Sequence, residues 1–219
     1  MIKSRKLNLY GAAVKNPNHP RKGSSIKVEP IRTKTAIERV KADLLHRNRH
    51  RDYCLFVMGI NTAFRANELL SITVGQVTHL QAGDELELKQ SKNGKHRRVT
   101  VNRAVADAIR LYLDKDQHMR WEGRQNPDAP LFYSQQKAIT DVLSVSVVTN
   151  MLKKWCQGAG CNGNYGSHTM RKTWGYWQYK RGVNIAVLMV AFGHATPRQT
   201  LDYLCIQEED VKQIYSMEL

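Results

Sequence analysis

The sequence predicts a mainly helical α+β fold with a small antiparallel hairpin and a basic N-terminal arm. Three observations lead there. Helix start and stop signals recur from Thr35 onward. One alternating segment, Glu85-Leu-Glu-Leu-Lys-Gln90, is joined to His96-Arg-Arg-Val-Thr-Val101 across Asn93-Gly94, a strong hairpin signal. Residues 1–33 hold few core-forming side chains and are broken by Asn-Pro, His-Pro and Lys-Gly-Ser-Ser.

The elements follow in order. Thr35-Ala-Ile-Glu38 has capping-box spacing and predicts a helix to about Arg47. A second helix is expected from about Arg51 to Thr62, with Cys54, Leu55 and Met58 in its buried stripe, and a short one over Ala66–Leu70. The hairpin comes next. Asn102 caps a helix to about Lys115. Residues 117–130 are polar and contain two prolines, so a loop is expected, with a short strand at Leu131-Phe-Tyr133. Helices follow from about Ser144 to Cys156 and from about His168 to Arg181, the latter stopped by Gly182. Asn184 caps Ile185–Phe192, which Gly193 ends. Thr196-Pro197-Arg-Gln199 opens a helix that carries Tyr203. A last helix is expected over about Glu208–Tyr215.

Composition narrows the function. Four cysteines in 219 residues do not make a disulfide scaffold and fit reduced thiols in a cytoplasm. The longest apolar run, Ile185–Phe192, is too short to span a bilayer. Thirty-four Lys and Arg against 19 Asp and Glu leave a charge of +15. The surplus is concentrated: residues 1–51 hold 14 basic and 3 acidic side chains. A balance this basic favours a polyanion, most often nucleic acid, over a merely solubilising tail.

Three chemical signals are outweighed by plainer explanations. Gly158-Ala-Gly160-Cys-Asn-Gly163 matches a dinucleotide fingerprint but follows a helix rather than a strand. Cys156, Cys161 and His168 lack a second close pair to complete a zinc site. Asp84, Glu85 and Glu87 fit a solvated strand face better than a metal-dependent nuclease. No metal site, cofactor site or ATP-binding loop is expected.

Five places offer phosphate-directed or nucleophilic groups: Arg65 in Arg-Ala-Asn-Glu-Leu-Leu70, Lys92 at the hairpin tip, His168 with Arg171 at one helix start, His194 after Phe192-Gly193, and Tyr203 nine residues later. Each alone has a bland explanation as an ion pair, a solvated lysine, a cap or half-buried core. Together and in this order they resemble the catalytic domain of the tyrosine recombinases, the phage integrase family. The resemblance spans about residues 34–215, with residues 1–33 as a flexible basic arm and residues 207–219 as a C-terminal connector. Family members usually carry a separate helical core-binding domain, which 33 residues are too few to form.

The resemblance implies a site-specific recombinase that cuts and rejoins DNA through a covalent 3′-phosphotyrosine, without metal or ATP. Arg65 and Arg171 would take the place of metal ions at the phosphate oxygens. Tyr203 would attack phosphorus, His168 would serve as general base, and His194 would donate a hydrogen bond to the phosphate. Lys92 would protonate the departing 5′ oxygen, with Lys95 as its rival. Tyr215 is a rival nucleophile at the wrong distance from His194. Implied partners are double-stranded DNA, three further copies in a tetramer on DNA, and accessory DNA-bending or directionality proteins. In free solution a monomer is expected, in the cytoplasm, associated with a bacterial or phage nucleoid. Two other readings stay open, a type IB topoisomerase-like relaxing enzyme and a non-enzymatic basic DNA-binding protein.

Overall fold

A computed structural model describes residues 27–89, 96–123, 125–134 and 141–206. The helices are α1 (Lys34–His46), α2 (His50–Thr62), α3 (Ala66–Leu70), α4 (Arg103–Lys115), α5 (Val145–Gly158), α6 (Thr169–Lys180), α7 (Ile185–Phe192) and α8 (Pro197–Leu204). Strands β1 (Glu85–Lys89) and β2 (His96–Thr100) pair antiparallel, with Glu85 opposite Thr100 and Lys89 opposite His96. The mainly helical α+β expectation holds. The hairpin tip with Lys92 and Lys95, the connector 207–219 and the helix expected at Glu208–Tyr215 lie outside the described residues. So do residues 1–26 of the arm.

Local chemistry explains most boundaries. Asn102, Ser144, Asn184 and Thr196 each accept a backbone N–H of the first turn, at Val105, Val147, Ala186 and Gln199. Pro197 opens α8, where its missing N–H costs nothing. Gly193 ends α7 at φ +69°, a conformation open to glycine without Cβ strain.

Three expectations are corrected. The cap of α1 is Thr33 rather than Thr35, and its Oγ1 accepts from the Ala36 N–H at 3.2 Å. The preceding segment decides this, because it runs extended against α6 and delivers Thr33 in the β region. The loop expected over 117–130 begins with a π-helical turn, Met119–Gly123. The Asp116 carboxylate caps the N–H groups of His118 and Met119, and Met119 is fully buried. Leu131-Phe-Tyr133 makes no strand. Its flanks form single bridges to different partners, Thr73 with Pro130 and Tyr133 with Val142, so no ladder extends.

The largest apolar cluster is centred on α2, which packs against α1, α4 and α6. Cys54, Leu55, Phe56, Val57 and Met58 are all buried, so α2 is covered on nearly every side. A smaller cluster joins Ala63, Leu188, Phe192 and Leu204, and Trp174 and Tyr203 pack on it. Gly175 of α6 makes this second cluster possible. A Cβ there would fall 2.3 Å from Cζ of Phe192 and 2.7 Å from Cδ2 of Leu204.

The residues before α1 lie across α6. Ile31 is fully buried, its N–H bonds Thr173 Oγ1 at 2.9 Å, and its carbonyl accepts from Trp177 Nε1 at 3.0 Å. The Glu29 carbonyl accepts from Thr169 Oγ1 at 3.0 Å. The Arg32 guanidinium lies 5.1 Å over the Tyr176 ring and bonds the Cys205 carbonyl.

Candidate active site

Five of the six site residues expected from the sequence converge on one side of α6. Arg65 stands at the N-cap of α3, between the αL-ended α2 and the short helix. Its N–H donates to Glu68 Oε2 at 2.6 Å and its Nη1 to Glu68 Oε1 at 3.0 Å. Glu68 is buried and therefore holds both ends of Arg65 in one orientation. The Arg65 side chain remains 46% exposed, open to a ligand.

Arg171 is the opposite case. It is 2% exposed, donates to the carbonyls of Ala63 and Phe192, and lies 4.9 Å over the Phe192 ring. These contacts join the end of α2 to the end of α7. Burial, and then the neighbouring Arg97, bring its pKa down to about 10, opposed by Tyr203, so it stays cationic at neutral pH.

Tyr203 faces both histidines. Nδ1 of His168 lies 3.4 Å from its hydroxyl. In the tautomer with the proton on Nε2, Nδ1 accepts from that hydroxyl. The His194 ring stands edge-on to Tyr203 at 5.0 Å, stacks on Phe192 at 5.2 Å, and is oriented by Thr200 Oγ1, 3.1 Å from its Nδ1. Burial lowers the pKa of His168, and Arg171, Lys172 and Arg65 lower it further. His194 is lowered by burial and then by Arg171 and Arg65. Both imidazoles are therefore neutral at pH 7. Burial raises the Tyr203 pKa, while Arg171 and Arg65 pull against it. The hydroxyl thus keeps its proton until something accepts it.

Two residues of this cluster were not singled out from the sequence. Arg97 of β2 donates to Glu68 Oε2 at 3.4 Å and to the Ala191 carbonyl at 3.1 Å, and lies 5.3 Å over the Phe64 ring. It ties the hairpin to α3 and α7. Its signal was position: it shares the inward face of β2 with Val99, where an arginine is out of place. Lys172, at 6% exposure, lies 4.7 Å over the Tyr203 ring. Its signal was likewise a cation on the inward face of α6, beside Thr169, Thr173 and Tyr176. A cleft of about 790 Å³ opens beside the cluster, walled by Arg65, Arg97, Trp174 and Phe192 among others.

The guanidinium groups of Arg65 and Arg171, two neutral imidazoles and a protonated tyrosine, with Arg65 lining the adjoining cleft, form a site suited to an anionic ester. The fold is that of a tyrosine recombinase catalytic domain. Residues 33–210 match the phage integrase family, and the chain belongs to that family, a class of DNA breaking-and-rejoining transesterases. The probable integrase/recombinase YoeC of Bacillus subtilis (strain 168) is 31% identical over 190 residues, 87% of this chain and 96% of that protein. Tyrosine recombinase XerA of Pyrococcus furiosus is 24% identical over 94% of this chain and 66% of its own length. In fold, the chain resembles a crystal structure of XerA recombinase, with a TM-score of 0.67 and 18% identity over 90% of this chain and 65% of that one. It also resembles XerH recombinase in a post-cleavage complex with palindromic difH substrate, with a TM-score of 0.68 and 18% identity over 96% of this chain and 59% of that one. The chain thus spans slightly less than two thirds of the Xer recombinases and nearly all of YoeC.

Proposed function

We propose that this protein is a site-specific DNA recombinase that cuts and rejoins double-stranded DNA through a covalent 3′-phosphotyrosine at Tyr203. The observation that carries this reading is the Tyr203 hydroxyl at 3.4 Å from His168 Nδ1, beside two cationic guanidinium groups. Oη forms a bond to phosphorus and its proton passes to Nδ1. The bond from phosphorus to the 5′ oxygen breaks, and Lys92 supplies the proton for the departing hydroxyl. Arg65 and Arg171 stabilise charge on the non-bridging oxygens, the task a metal performs in other nucleases. His194, held by Thr200, donates from its Nε2 to the same phosphate. One phosphodiester becomes another, so the reversed attack by a 5′ hydroxyl reseals DNA without ATP. Exchange between two duplexes requires four cleavages, hence four protomers on DNA. The charge of +15 favours a monomer in its absence.

The test is a search for a denaturant-resistant protein–DNA adduct on nicked duplexes from the neighbouring genomic DNA, in EDTA. The wild-type chain forms the adduct, and Tyr203→Phe binds DNA but forms none. An adduct in Tyr203→Phe would overturn the nucleophile, and strict dependence on magnesium would overturn the metal-free mechanism.

A further inference from the structure

Lys172 buries an ammonium within the candidate site. Lysine normally extends its charge to water, and a buried ammonium is costly unless something uses it. Among the described residues no carboxylate pairs with it. Its Nζ instead meets Cys205 Sγ at 3.3 Å and the face of the Tyr203 ring at 4.7 Å. Cys205 follows α8 directly, at φ +55°. The contact therefore spans from α6 to the end of the helix that carries Tyr203.

A phenolate spreads part of its negative charge into its ring. A cation over the ring face is therefore attracted more strongly after the hydroxyl ionises than before. We propose that Lys172 is a positioning residue for Tyr203, whose ammonium fixes the ring and stabilises the phenolate character that develops as Oη attacks phosphorus. The inference rests on Tyr203 being the nucleophile. The proton still passes to His168 Nδ1, and Lys172 takes no part in the transfer.

The other charged or titratable groups around Tyr203 are His168 and Arg171 from α6, His194 after α7, Arg65 before α3, Arg97 from β2 and Cys205 after α8. Arg65 and Arg171 act toward the oxygen, whereas Lys172 acts through the ring face and the anchor at Cys205. Arginine in place of Lys172 keeps the ring-face cation, while methionine keeps the shape and removes the charge.

The experiment places 3,5-difluorotyrosine at position 203 of the full chain, which brings the titration into a range where the fold persists, and follows it by 19F NMR without DNA. In Lys172→Met the midpoint rises by roughly 0.5–1.5 pH units. In Lys172→Arg it stays at the wild-type value. An unchanged or lowered midpoint in Lys172→Met overturns the inference. If that variant does not fold, Lys172→Gln makes the same comparison with a neutral polar end at Cys205. An unshifted midpoint beside a Tyr203→Phe protein that has lost its adduct overturns only the role of Lys172. An adduct that survives Tyr203→Phe overturns the nucleophile and this inference with it.

Discussion

The Tyr203 hydroxyl and Nδ1 of His168 lie 3.4 Å apart across 35 positions of sequence. A residue in the last turn of α8 thereby meets the residue that opens α6. This fixes the pH dependence of the chemistry. As the general base of the proposed mechanism, His168 would accept the proton only when neutral, and its pKa lies below the ordinary histidine value of 6.5 through burial and the charges of Arg171, Lys172 and Arg65. Single-turnover cleavage at saturating DNA is then flat near pH 7 and falls as pH drops through a midpoint below 6.5. Because the folded state prefers the neutral ring, stability falls in the same direction. A cleavage midpoint at or above pH 7 would contradict the assignment.

Arg171→Lys keeps the charge but loses the fork that joins the Ala63 and Phe192 carbonyls. One buried carbonyl is left without its donor. We expect a loss of about 1–3 kcal/mol in stability and a roughly 100- to 1000-fold slower cleavage. Chemical denaturation and single-turnover rates measure the two separately. Wild-type kinetics in this variant would remove Arg171 from the phosphate.

Gly175→Ala tests the packing beneath Tyr203. The added methyl collides with Phe192 and Leu204, which are both buried and close on α6 from α7 and α8. Overpacking of this kind costs about 1–3 kcal/mol, or about 2–4 °C of Tm per kcal/mol in a chain of this size. Cleavage should decline further than stability alone explains, because the displaced helix carries Tyr203. Unchanged Tm would show that α7 and α8 yield freely.

Deleting residues 1–26 removes six Lys and Arg and leaves Ile31 and Arg32 in their places on α6. Thermal stability should hold while DNA binding weakens. Every phosphate that the shortened chain no longer neutralises flattens the plot of log K against log salt by about 0.9. Binding titrations at several salt concentrations read the slope, and an equal slope before and after deletion would make the arm a passive tail.

The sequence made helices legible wherever a short-range signal sets a boundary. Asn184 and Gly193 enclose α7, and Thr196 with Pro197 opens α8, because caps and glycines act within a few residues. It was silent where distant residues decide. The start of α1 is set by contacts of Glu29 and Ile31 with α6, about 140 positions away. Arg65, His168, Arg171, His194 and Tyr203 were read out as members of an ordered pattern. Arg97 and Lys172 belong to no such pattern and emerge only once β2 and α6 have inward faces to measure them against. Lys92 falls on the hairpin tip, outside the described residues.

The two apolar clusters divide the machinery unequally. Arg171 ties the end of α2 to the end of α7 through the Ala63 and Phe192 carbonyls, whereas Tyr203 rides on α8 over the satellite of Ala63, Leu188, Phe192 and Leu204. So little buried surface gives α7 and α8 a low cost of local opening compared with α2. Backbone amides of α8 should exchange with solvent deuterons through subglobal fluctuations, while those of α2 wait for the whole chain to unfold. An opening confined to α8 would carry the hydroxyl away while Arg171 keeps its hold on the Ala63 and Phe192 carbonyls.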